Sequence, residues 1–177
     1  MVDIKNYLNK RTLFLGDVNV GKTFKMLSIL QEFVQAGYAD DIAVLDLSPD
    51  PIKGVGGKIK IPDHMPIRYL TANIAAPRLM GQNADHTQQL AETNARVIET
   101  LFTTLVAQKK KILFVNDATL YFHAGAFTKF LSAINTALTQ IINAYQGDRF
   151  EDSYLTRREK QLTVKLIESC DEVRYLS

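Results

Sequence analysis

The stretch Arg11-Thr12-Leu13-Phe14-Leu15-Gly16-Asp17-Val18-Asn19-Val20-Gly21-Lys22-Thr23 decides the reading of this chain. Its opening residues form a short apolar run that ends at Gly16, as a buried strand does. From Thr23 to about Ala36, apolar residues recur at Phe24, Leu27, Ile29, Leu30, Phe33 and Val34, and Gly37 stops the pattern. That spacing is helical. A strand and a helix therefore meet across a glycine-bounded turn, Gly16 to Thr23, that reads G-x-x-x-x-G-K-[ST].

The chemistry of that turn follows from its residue types. Gly16 and Gly21 let the backbone bend where a side chain would collide with a phosphate. Asp17, Val18, Asn19 and Val20 vary freely in the pattern and contribute main-chain N–H groups to an anion nest. The helix beginning near Lys22 adds the positive end of its dipole. The Lys22 ammonium is expected to reach the β- and γ-phosphates, and the Thr23 hydroxyl to ligate magnesium. The ligand so predicted is a nucleoside triphosphate with magnesium. The Asn-Lys-x-Asp guanine motif is absent, because Asn116-Asp117 lacks its spacing, so ATP is favoured and GTP is not excluded.

Beyond the turn, strand-like and helical segments alternate, the pattern of a parallel sheet covered by helices. Ile42 to Leu47 and Lys111 to Asn116 are almost wholly apolar runs, expected as strands buried on both faces. Pro66 to Leu70 and Glu172 to Leu176 read as further strands. Helices are predicted from near Asp85 to Ala107, from about Ala126 to Tyr145, and from a Thr156 cap to Ser169. The first of these carries Leu90, Val97, Ile98, Leu101 and Leu105 inward, with Asn94 interrupting the stripe. The second carries Phe127, Phe130, Leu131, Ile134, Leu138 and Ile141. Ser48 to Gly57 and Gln146 to Tyr154 read as loops, and Ala118 to Gly125 as a mobile connection that senses phosphate. No linker divides the chain, so residues 1–177 are expected to form one domain.

A magnesium–triphosphate site calls for a carboxylate at the end of a neighbouring strand. Two strands end in one. Ile112-Leu113-Phe114-Val115-Asn116 runs into Asp117, and Asp46 sits near the end of Ile42 to Leu47. Both positions lie where open α/β sheets bind ligands. Lys22, Asp46 and Asp117 are therefore the candidate catalytic residues, and Thr23, Asp117 and Asp46 the candidate metal ligands. Asp50, flanked by prolines, reads as a turn residue.

With these residues in view, the chain resembles the P-loop NTPase superfamily, and Ile112 to Asp117 looks like its Walker B strand. The resemblance implies an α/β fold, a three-layer P-loop NTPase sandwich with a mostly parallel central sheet. Between Arg11 and Leu70 the sequence also resembles the kinase domain of the cleavage-factor polynucleotide 5′-hydroxyl kinases. Val20-Gly21-Lys22-Thr23 matches the end of that family's loop. Asp46, Leu47 and Pro49 match its D-L-D-P-G-Q strand end, and the glycine-bearing Gly54 to Ile59 follows. Ser48 stands in place of that family's second aspartate, and Asp50-Pro51 in place of Gly-Gln.

Composition bounds the remaining classes. The chain has 177 residues, is 46% apolar, and carries a formal net charge of +2 with both signs scattered. Such a balance permits nucleic acid without indicating it, and leaves a protein partner or a homo-oligomer open. No apolar run reaches the roughly 20 residues of a membrane span. A soluble, cytoplasmic protein is expected, and the single Cys170 reads as an inert thiol at a helix end. His64, His86 and His123 share no metal-ligand spacing and read as surface or loop residues, although His123 follows the Walker B-like strand closely enough to line a cleft. Lys109-Lys110-Lys111 reads as a solvated helix end. Arg157 and Arg158 are candidates for an arginine that neutralises phosphate charge. Three functions remain in competition: a magnesium-dependent ATPase or kinase-like enzyme, a slow nucleotide-dependent switch or assembly factor, and a polynucleotide 5′-hydroxyl kinase.

Overall fold

The structure, a computed structural model, describes residues 2–62 and 65–177. Six strands form one sheet: β1 (Arg11–Gly16), β2 (Ile42–Asp46), β3 (Arg68–Thr71), β4 (Ile112–Asn116), β5 (Thr139–Tyr145) and β6 (Glu172–Tyr175), in the order β3-β2-β4-β5-β1-β6. Every pairing is parallel. The crossovers are α1 (Lys22–Gln35), α2 (Pro77–Met80) with α3 (Ala84–Gln108), α4 (Thr119–Phe122) with α5 (Phe127–Ile134), and α6 (Tyr154–Glu168).

Alternation along the strands builds a core on each face of the sheet. Phe14, Val44, Phe114 and Ile141 point toward α1 and pack with Met26, Ile29, Leu30 and Phe33. Leu13, Leu15, Leu45, Leu113, Val115 and Ile142 point the other way, onto Ile98, Phe102, Phe130 and Leu166 of α3, α5 and α6. The result is the expected three-layer α/β sandwich. Its sheet is wholly parallel rather than mostly so.

Four expectations are corrected. The helix predicted from Ala126 to Tyr145 is two elements, the short α5 and the strand β5. Its apolar positions fit a helical period only by coincidence. Asn135 ends α5, and the β-branched Thr139, Ile141 and Ile142 fit a strand whose residues are all buried between β4 and β1. Leu138, assigned to the inner face, is 68% exposed. Second, Ala118 to Gly125 is not a loose connection: Leu120, Tyr121, Phe122 and His123 are buried, and their rings pack against Phe102, Phe127 and Phe130. Third, α6 is capped by Ser153, whose side chain accepts from the Thr156 N–H, so Thr156 lies inside the helix. Fourth, the inner face of α3 is centred on Ala91, Asn94, Ala95, Ile98, Phe102 and Leu105. Asn94 belongs on it because its amide bonds both the N–H and the carbonyl of Ala75, each at 2.9 Å.

The strand order positions the site. β5 lies between β1 and β4, so the glycine turn and the Asp117 end are second neighbours, about 10 Å apart at the usual strand spacing. All strands being parallel, their carboxyl ends open on one edge.

Candidate functional site

At that edge a cleft of about 380 Å³ lies over the glycine turn, with Gly21, Lys22, Thr23, Asn116, Asp117 and Asn143 in its lining. Gly16 allows no side chain, since a Cβ there would lie 2.4 Å from the Leu176 carbonyl oxygen. Gly21 caps α1 at φ +86°, a left-handed conformation that side chains resist. Among the described residues, the N–H groups of Asn19, Val20, Gly21, Lys22 and Thr23 donate to no protein acceptor. They are the donors left over at a helix start. Lys22 Nζ lies inside the turn, donating to the carbonyl of Gly16 at 2.7 Å and to that of Asp17. Burial lowers the Lys22 pKa, against the pull of Asp117 and Asp17. Asp17 bonds the Val18 N–H at 2.6 Å, and Asn19 donates to the Gly54 carbonyl at 3.1 Å, tying the turn to the Ser48–Gly57 loop.

Behind Thr23 runs a buried polar chain. Thr23 Oγ1 donates to Asn116 Oδ1 at 3.3 Å, and Asn116 Nδ2 donates to Asp46 Oδ1 at 2.8 Å. Asn143, two residues before the end of β5, donates to the same Asn116 oxygen at 2.8 Å and accepts the Asp117 N–H at 2.7 Å. Asp46 is fully buried and accepts four hydrogen bonds, from the Ser48 and Ile59 N–H groups, the Tyr69 hydroxyl and Asn116. A carboxylate in so apolar a strand needs this many donors. Burial, and after it the contact with Asp46, raises the Tyr69 hydroxyl well above its ordinary range.

Asp117 turns the chain off β4 at φ +59°. Its carboxylate accepts from Thr119 Oγ1 at 2.6 Å and Ser48 Oγ at 3.5 Å. Burial raises its pKa, the Thr119 hydrogen bond and the charge of Lys22 opposing that rise. The structure thus brings Lys22, Thr23 and Asp117 into one lining, and sets Asp46 one layer behind it.

The other candidates fall elsewhere. Arg157 is exposed and paired with Asp152, and Arg158 donates to the Gly125 carbonyl. Neither lines the cleft. Lys109 ends α3 in the left-handed conformation, and Lys111 pairs with Asp41. Cys170 is half-buried, its thiol pushed up to about 11 by burial. His86 lies near the start of α3, and His64 lies outside the described residues. No group of three potential metal-ligating side chains occurs among the described residues. Nor is any helix among them long and apolar enough to cross a membrane.

Three residues went unnoticed in the sequence. Asn116 ends β4, a strand the sequence marks as apolar, and Asn143 lies two residues before the end of β5, a strand hidden in a helical pattern. Phe24, 78% exposed beside the cleft, looked like one more apolar position of α1. Compared with models of known protein families and with curated protein sequences, the chain matches none.

Proposed function

We propose that this chain binds a nucleoside triphosphate with magnesium in the cleft over Gly16–Thr23, and acts on it as a P-loop hydrolase or phosphotransferase. The observation that carries this reading is a run of five unspent N–H groups, Asn19 to Thr23, beside a half-buried lysine ammonium at a helix start. Unspent donors of that kind select anions. The Lys22 ammonium, now held by two loop carbonyls, turns to phosphate oxygens when they enter.

Thr23 and Asp117 are the side chains that would hold magnesium, since both line the cleft and offer oxygen. The ion would draw charge from the phosphate being transferred. Asp46 has its oxygens committed to four donors, so it serves as a positioning residue, acting on Thr23 through Asn116. Asp117 would meet the ion as a carboxylate, the cation's charge offsetting the burial that raises its pKa. The packing of Leu120, Tyr121 and Phe122 in the core supports an enzyme over a switch that works by ordering that segment.

The test is thermal unfolding with ATP, GTP or ADP, with and without magnesium, alongside an assay of phosphate release. A nucleotide at about 100 times its dissociation constant stabilises the fold by about 2.7 kcal/mol. Lys22→Ala is expected to lose that stabilisation and the phosphate release together. Full nucleotide affinity in Lys22→Ala, or no stabilisation of the wild type, overturns the reading.

A further inference from the structure

The cleft over the glycine turn has a second lysine in its lining, Lys58. Its Nζ donates to the carbonyls of Ser48 and Ala72, at 2.8 and 2.9 Å, and to Thr71 Oγ1 at 2.9 Å. Ser48 lines the cleft as well, so the ammonium lies at the cleft wall. All three acceptors are neutral. No ion pair among the described residues includes Lys58, whereas Lys111, Lys129 and Lys160 each meet a carboxylate. Lys58 is half-buried, and a charge drawn out of water without a counter-charge is costly. Lys22 is held in the same way, half-buried and on carbonyls, in the same cleft.

Strand order sets the two lysines apart. Lys22 follows β1, and Lys58 ties the chain just past β2 to the end of β3. β1 and β2 are three spacings apart, about 14 Å at the usual distance between strands. Asp117, just past β4, lies between them. Phosphates anchored on the glycine turn and on an ion at Asp117 leave the Lys58 end of the cleft open. Gly56 and Gly57 wall that end without side chains, and a Cβ added to Gly57 would meet nothing closer than 3.8 Å. The smaller cavity that adjoins the cleft at Asp117 is different. Its walls are mainly apolar, and its one arginine, Arg78, is already paired with Glu159.

We infer that the Lys58 end of the cleft is a second anion site, which holds the phosphate or carboxylate of an acceptor molecule. The site stands without a nucleotide, while its acceptor role rests on the nucleotide reading. In that role the acceptor's hydroxyl oxygen bonds the terminal phosphorus of the triphosphate. The bond from that phosphorus to its bridging oxygen breaks, the nucleoside diphosphate leaves with the electron pair, and the hydroxyl proton passes to solvent. Lys58 exchanges one neutral acceptor for the anion and fixes the acceptor beyond Asp117. A cation reserved for a second substrate makes the reaction a phosphotransfer rather than a hydrolysis.

The probes are inorganic phosphate and acetate, titrated at constant ionic strength into ¹⁵N-labelled protein while the backbone amides are followed by NMR. At least one of them is expected to shift the amides of Gly57, Lys58 and Ala72 saturably, and the tighter of the two names the acceptor's anion. Lys58→Gln, whose amide still donates to a carbonyl, is expected to weaken that response about tenfold, as the loss of one charged hydrogen bond allows. Lys58→Arg is expected to retain it. A lysine that only ties β2 to β3 would leave the anion affinity of Lys58→Gln unchanged. That result in a variant folded by circular dichroism, or no saturable shift of these amides by either anion in the wild type, overturns the inference. Lys22→Ala is expected to lose the response of the Asn19 to Thr23 amides and to keep that of Lys58. Wild-type Asn19 to Thr23 amides that respond to neither phosphate nor ATP would count against the nucleotide reading alone.

Discussion

Asp117 combines three properties that rarely coincide on one side chain: a left-handed backbone, a carboxyl raised by burial, and a place in two adjoining cavities. Each costs stability, and such costs concentrate at functional sites. Because its folded pKa is raised, Asp117 favours the fold only while protonated. That contribution is complete below the ordinary carboxylate range and is lost as pH rises through the folded value. Asp117→Asn is therefore expected to unfold at a higher temperature than wild type at neutral pH, and at a similar one in acid, while losing magnesium-dependent nucleotide turnover. Calorimetry across pH, with a phosphate-release assay, measures both; a variant less stable at neutral pH contradicts the assignment. Phe24 makes a separate case. On the proposed nucleotide reading, an aromatic ring this exposed at the edge of the cleft would stack on the nucleobase. Phe24→Ala is expected to weaken ATP about tenfold, within the range of base–aromatic stacking, and to leave inorganic tripolyphosphate unchanged. Equal losses for both ligands in a calorimetric titration would place the ring away from the base.

Among the elements, β5 shows how a strand can hide inside a helical pattern. Phe127, Phe130, Leu131 and Ile134 are truly helical, and Leu138 and Ile141 continue their spacing by accident. The two readings separate on a pair of substitutions. Leu138→Glu is expected to change stability by less than about 0.5 kcal/mol, as exposed positions do. Ile141→Ala removes a fully buried side chain from the sheet and is expected to cost about 3 kcal/mol. Urea unfolding of both variants makes the comparison, and similar losses would favour the helix. By contrast β1, α1, β2 and β4 were legible, because two-faced burial writes a continuous apolar run and the G-x-x-x-x-G-K-T turn marks its own boundaries. The glycine turn, Lys22, Thr23 and the place of Asp117 could be read from spacing alone. The role of Asn116 could not, because strand register decides which tip residue faces Thr23. The Asp46 contacts depend on Ile59 and Tyr69, which reach it only through the fold.

For the molecule as a whole, both cores share one sheet, so neither layer of helices can persist without it. Urea unfolding is expected to follow a single transition, with tyrosine fluorescence and far-ultraviolet circular dichroism coinciding. Two separated transitions would mean that one layer survives alone. The same sheet sets the direction of the buried chain behind Thr23. Asp46 can only accept, so the Asn116 amide must turn its nitrogen toward it and its oxygen toward Thr23. The Thr23 hydrogen is thereby drawn inward, and the hydroxyl lone pairs are left facing outward. A carboxylate that touches no ligand thus dictates, two side chains away, that the threonine meets whatever enters the cleft as an electron donor suited to a cation.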